Sequence, residues 1–370
     1  MKTDSFIFTK DRLMPLFNGL TDLGYDKNLH FTAPLVKNLD LFQANLSGGG
    51  VAVTDFISAA DYNRTVRPLV SRMKPAGQRE IPDYDPLLKT LYQSGIVQPE
   101  GLDQLEEIFS MIEGQNILEG GDVYPIALDT NLLRDRFFSV YLRNRFPHRN
   151  LDFILCETVR HELKNRKDKL KKQVFRNMDP LPYDLLDGCF MNQNCLEDRM
   201  RNIGFLEYNR MRGTTACREL DARSVRSGAE NDQIILETYS NFVDVGRKVV
   251  FISRDHEVVR MMRGEDNVLP ILLEQTRIEQ TEFNASWRGF FNLLYLAGVL
   301  FGKLHLVVGG VEVGAICGVW KGKDLEAWEN DSVRLDLFRP VNNEPGEVME
   351  YDFLVRIVRR SLSALEALEP

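Results

Sequence analysis

Four acidic residues, Asp129, Glu162, Asp232 and Asp255, stand where an open α/β sheet would bring them to one rim. Asp129 closes a strand-like run, VYPIAL, and Asp255 follows another, KVVFIS; Glu162 and Asp232 fall in the early turns of helical segments. Ligands of open parallel sheets bind outside the carboxyl ends of the strands. Carboxylates crowded there repel one another and hold each other's pKa up. A hard dication relieves that repulsion, and Mg²⁺ and Mn²⁺ prefer carboxylate oxygens. Two such ions roughly 3.5–4 Å apart can activate a water and neutralise a leaving oxygen. Phosphodiester hydrolysis by this route needs no Ser, Cys or His nucleophile. Each acid also has a plainer role open to it. Asp129 and Asp255 can be helix N-caps, Asp232 a first-turn acid and Glu162 the i+4 partner of Arg166. Glu157 and Glu230 are rival ligands to Glu162 and Asp232.

The elements that must position these acids alternate from residue 121 onwards. NLLRDRFFSVYLRNRF has helical spacing at Leu133, Phe137, Val140 and Tyr141. LDFILC reads as a strand and ETVRHELKNRKDKLKK as a helix. ENDQIILETYSNFVDV (helix), KVVFIS (strand), DHEVVRMMRG (helix) and VLPILL (strand) continue the series. Alternation of this kind means βαβ units and a mainly parallel sheet. Pro270 inside the last run suits an edge strand. Upstream, LSGGGVAVTDFISAADY predicts some strand, MKPAGQREIPDYDP a surface connection, and LDQLEEIFSMIEG an amphipathic helix stopped by Gly114. Downstream, WRGFFNLLYLAGVLFG reads as a buried helix, with Trp287 and Trp320 in the core. LHLVVGG, VEVGAICGVW and VRLDLFRP predict antiparallel strands, and residues 347–368 an amphipathic helix.

IALDTN, TVRHELKN, ENDQIIL and FISRD followed by LPILL, in that order, resemble the PIN-domain nuclease superfamily over about residues 121–275. Position by position, the resemblance implies that Asp129, Glu162, Asp232 and Asp255 are catalytic and ligate metal. It places Asn131 and Ser253 beside them as supporting polar groups. It implies a Mg²⁺- or Mn²⁺-dependent nuclease acting on RNA and leaving 5′-phosphate and 3′-hydroxyl ends. The alternative is a PIN-like scaffold that binds RNA or protein without cutting. The expected fold is α/β, a PIN-like parallel sheet flanked by helices at 119–278. An N-terminal mixed region at 1–118 and a C-terminal α+β accessory region at 279–370 flank it. The 70 residues between Glu162 and Asp232 point to a helical basic insertion at about 163–228.

Lys164 to Arg176 carries seven basic residues and one acid, and starts beside Glu162. Arg199, Arg201, Arg210, Arg212, Arg218, Arg223 and Arg226 form a second basic set. Such cations suit a phosphate backbone. The insertion is therefore expected to clamp a nucleic acid, with Lys164, Arg166, Lys167, Lys171, Arg210 and Arg212 as contacts. With a net charge of −8, the chain has no bulk attraction for polyanions, so such binding must be local. Five cysteines without a CxxC pair argue against a zinc site or disulfide framework and favour a reducing, cytoplasmic setting. The most apolar run, Phe290 to Gly302, is 13 residues, short of the roughly 18 a membrane span needs. A zinc-protease HExxH motif fails because Asn165 replaces the second His. An aspartyl-phosphate phosphatase fails because Asn131 stands where its general acid would be. Dimerisation through 279–370 is left open.

Overall fold

The computed structural model describes residues 3–114, 124–146, 151–164, 174, 176–189, 195–214, 216–221, 231–242, 248–340 and 345–367. Its strands are β1 (Thr3–Thr9), β2 (Leu29–Ala33), β3 (Leu39–Ser47), β4 (Gly50–Thr54), β5 (Ile126–Leu128), β6 (Phe153–Cys156) and β7 (Cys217–Leu220). They continue as β8 (Val249–Ser253), β9 (Val268–Leu272), β10 (Phe283–Ala285), β11 (Lys303–Val308), β12 (Val311–Cys317) and β13 (Ser332–Phe338). The chain divides into two compact units, one of 97–166 and 200–278, the other of 1–96, 167–199 and 279–370.

The first unit is built on a five-stranded, all-parallel sheet in the order β7-β6-β5-β8-β9. Its central strands are apolar along their whole length, and every residue of β5, β6 and β8 is buried. Continuous burial is what a parallel sheet covered on both faces demands. Pro270 lies on β9 at the sheet edge, in register with Phe251, as its missing N–H requires. From β5 the chain runs to β6 and β7 on one side, and from β8 to β9 on the other. The strand order thus reverses between β5 and β8, the place at whose carboxyl ends open α/β sheets bind their ligands.

Three expectations for this unit change. The Leu102–Glu113 helix belongs to it, because Leu102, Leu105 and Phe109 are buried in the same core as the sheet; its boundary is at 97, not 119. Residues 131–146 are not one helix. The Thr130–Arg134 helix stops, Arg136 takes a φ of +59°, and a π-helical turn runs Phe138–Leu142. Glu207, fully buried, steadies the break by accepting from Ser139 N (2.9 Å), Ser139 Oγ (2.7 Å) and Arg210 Nη1 (2.7 Å). β7 was not foreseen: Cys217–Leu220 is a short edge strand of mixed polarity, which hides its period.

The second unit carries an eight-stranded sheet in the order β1-β13-β12-β11-β2-β3-β4-β10. β1 pairs antiparallel with β13 from Thr3↔Phe338 to Thr9↔Ser332, β11 with β2, and β10 with β4. The N- and C-terminal regions are thus one folding unit and not two accessories, since each supplies the hydrogen-bond partners that the other's strands lack. The Trp287–Phe301 helix is buried from Gly289 to Phe301, and Phe17 meets Trp287, Phe290 and Phe291 ring to ring. Trp320 is buried as expected. The Pro345–Glu366 helix confirms the amphipathic C-terminal segment. Among the described residues, no helix is long and apolar enough to cross a membrane.

Part of the expected insertion also sits in this second unit. Arg199 is fully buried, and its Nη1 donates to the Val299 carbonyl at 2.9 Å. Glu80 accepts from Leu196 N at 2.8 Å, which explains why residues 73–86 are not a plain surface connection: Met73, Glu80 and Ile81 are buried. Gly302 lies at φ +85°, and a Cβ there would come 2.2 Å from the Cys189 carbonyl oxygen. Gly302→Ala should cost more than about 1 kcal/mol. Urea denaturation would read this as an earlier midpoint, and an unchanged midpoint would contradict the packing of residues 176–189 here.

Candidate functional site

Asp129 follows β5 and lies on the seam with β8, where its N–H donates to the Ile252 carbonyl at 3.0 Å. The side chain is 7% exposed. It caps the Thr130–Arg134 helix, Oδ1 accepting from Thr130 N at 2.6 Å. Oδ2 accepts from Asn131 Nδ2 at 2.7 Å and from Ser253 Oγ at 2.5 Å. Ser253 is fully buried at the end of β8, and its Oγ also accepts from Asp255 N at 2.9 Å. Asn131 Oδ1 accepts from Arg254 N at 3.4 Å. Asn131 and Ser253 therefore do what the sequence reading assigned to them: they hold the first carboxylate in place.

Glu162 lies on the Glu157–Leu163 helix that follows β6. The Thr130 hydroxyl donates to its Oε2, which ties it to the residue next to Asp129. Glu157, the rival on that helix, faces His161 at 3.5 Å. Asp232 is exposed in the first turn of the Asn231–Ser240 helix. Its competitor Glu230 lies outside the described residues.

The carboxyl of Asp129 is raised above its usual range, first by burial and then by the like charges of Glu162 and Asp232. The hydrogen bonds from Ser253 and Thr130 pull the other way and lose. Glu162 and Asp232 thus both act on Asp129 through space. Asp255 is at the same strand ends but exposed, and its Oδ1 accepts from Glu257 N (2.8 Å) and Val258 N (3.3 Å). It is the N-cap of the His256–Met262 helix. Among the described residues, no three His, Cys, Asp or Glu side chains are gathered closely enough to hold one ion. Glu162 and Asp232 lie near enough to Asp129 for their charges to be felt there, and Asp255 follows the neighbouring strand β8, but the four acids do not form a ready-made cage.

The basic clamp fares unevenly. Arg166, Lys167 and Lys171 lie outside the described residues. Lys164 is exposed directly after the Glu162 helix. Arg210 is engaged by Glu207, and Arg212 Nε by Glu219 Oε2 at 3.1 Å. Arg199 is buried structure and not a surface contact. His256 is a surface residue 3.4 Å from Glu274.

Thr130 is the site residue that sequence reasoning passed over. It stood in the Asp-Thr-Asn string without a role, and only the tertiary approach of the Glu162 helix gives it one.

Because its carboxyl is raised in the fold, ionising Asp129 opposes folding. Stability should be full below the ordinary value of 3.8 and fall as the pH rises through the higher folded value. Asp129→Asn keeps an N-cap acceptor and removes that penalty. The variant should melt above the parent at neutral pH, and the gap should close towards pH 4. A melting curve for the variant that stays below the parent at neutral pH would contradict this balance. No protein-family model, curated protein or solved structure matches this chain, so the side chains at this rim carry the functional reading.

Proposed function

We propose that the chain is a metal-dependent nuclease of the PIN-domain kind, hydrolysing phosphodiester bonds in RNA. The observation that carries the reading is the buried Asp129 at the strand-order reversal, with Glu162 and Asp232 acting on it as like charges. In chemistry the donor set suits a hard dication, since it offers only carboxylate, hydroxyl and amide oxygens, and the carboxylates would have to draw closer together than they lie here to share one. Asp129, Glu162 and Asp232 would hold Mg²⁺ or Mn²⁺, with Asp255 and Asn131 at its margin. When bound, the ion would supply Lewis acidity to the phosphate and make a bound water more acidic. The chain's own part is positional. Ser253 and Asn131 fix the plane of the Asp129 carboxylate, and Thr130 sets Glu162 relative to it. Lys164 and the basic run after it would meet the phosphate backbone.

RNA is the partner on this reading, and the cytoplasm the setting. All five cysteines are free, which suits a reducing compartment. A second reading, a PIN-like scaffold that binds without cutting, draws on the spread of the four acids and on the capping roles of Asp129 and Asp255.

Labelled single-stranded RNA, folded RNA and single-stranded DNA, each with Mn²⁺ or with chelator, would separate the readings. The nuclease should cut RNA only with metal, and Asp129→Asn or Glu162→Gln should lower the rate by about a hundredfold or more. Circular dichroism should show the fold intact. Binding without cleavage would favour the scaffold, and full activity in either variant would refute the assignment of those carboxylates.

A further inference from the structure

The unit that does not carry the four acids has a cavity of about 650 Å³. That falls inside the roughly 300–1,000 Å³ range of small-molecule sites. Leu20, Leu337 and Leu354 give it apolar walls, and the Gly309–Gly310 turn leaves it open on one side. Val311, which lines it, is 49% exposed, and Met349, beside the lining residue Glu350, is 72% exposed.

Three carboxylates line the same cavity, Glu312, Glu347 and Glu350, and no described lysine or arginine does. Glu347 sits in the first turn of the Pro345–Glu366 helix, where it answers the helix's own positive end. Glu350 accepts from the Tyr25 hydroxyl at 3.1 Å, a neutral donor. The Tyr25 phenol is raised by burial first and by Glu350 and Glu347 after it, so it stays protonated. Glu312 lies 3.2 Å from His305 Nδ1, and burial holds His305 below its ordinary value, which keeps that ring neutral too. Among the described residues, two carboxylates therefore face a partly apolar cavity with neutral hydrogen-bond partners. Half-desolvated charges of this kind gain most from a cation that brings its own apolar surface.

We infer that this cavity binds a small organic cation, a protonated amine on an aryl or alkyl body. The ammonium meets Glu350 and Glu312, while the body lies against the leucines, with the Tyr25 and Phe338 rings offering aromatic faces. The inference stands apart from the nuclease reading and uses none of its residues.

Isothermal titration of the full chain with phenethylammonium and cyclohexylammonium, against 2-phenylethanol and 3-phenylpropionate, tests it. The ammonium compounds should bind, the alcohol about tenfold more weakly, and the carboxylate not at all. Glu350→Gln and Glu312→Gln should each weaken ammonium binding by about tenfold, with circular dichroism unchanged. If a variant fails to fold, the comparison of ammonium with alcohol on the parent chain decides alone. No ammonium binding at millimolar concentration, or equal binding of the alcohol, would overturn the proposal.

Discussion

A carboxylate held out of water between two parallel strands is the constraint on which the acidic rim depends. Asp129 is buried because β5 and β8 are adjacent and because its own N–H continues their ladder. Burial and two like-charged neighbours disfavour its ionised form, and three hydrogen bonds only partly offset that. Natural chains seldom keep an arrangement of this kind without a use for it, since replacing the acid by a neutral residue of the same shape removes the cost. Strain of this sort is local: Ser253 at the end of β8 shares its hydroxyl between Asp129 and the backbone of Asp255, which locks two strand ends together.

Much of this rim was legible in the sequence because its elements have clean periods. The β5, β6 and β8 strands are nearly continuous apolar runs, and β5 and β8 are each followed within two residues by an acid at a helix N-cap. Ser253 and Asn131 were readable from their place beside those acids. Thr130 was not, because its partner lies 32 residues away and sequence spacing carries no sign of it. Asp255 shows the converse. Its position at the end of β8 was right, but N-cap geometry decides where the carboxylate points, and an N-cap looks the same in sequence whether or not it also serves chemistry.

The rest of the chain was hard to read for a different reason. Strands whose partners lie hundreds of residues away leave no local signature. Lys10 illustrates this: its ammonium is buried against Asp331 at 3.0 Å, and in sequence it looks like any charged residue near the start of the chain. Arg199 is similar. It sits in an arginine-rich stretch that reads as a phosphate-binding surface, yet it is sealed inside, donating to a main-chain carbonyl. Composition cannot distinguish a basic surface from a basic anchor, because the difference is burial.

The pairing of β1 with β13 has a consequence for biogenesis. The strand Thr3–Thr9 finds its hydrogen-bond partner only in Ser332–Phe338, hundreds of residues later in the chain. The parallel sheet, complete at Leu272, emerges from the ribosome well before that. During synthesis, β1 to β4 must wait with open edges while the segment between them and β10 folds. Such delayed closure is slow and exposes strand edges to other chains. The seven-residue register of β1 on β13 is therefore among the last pairings that the order of synthesis allows.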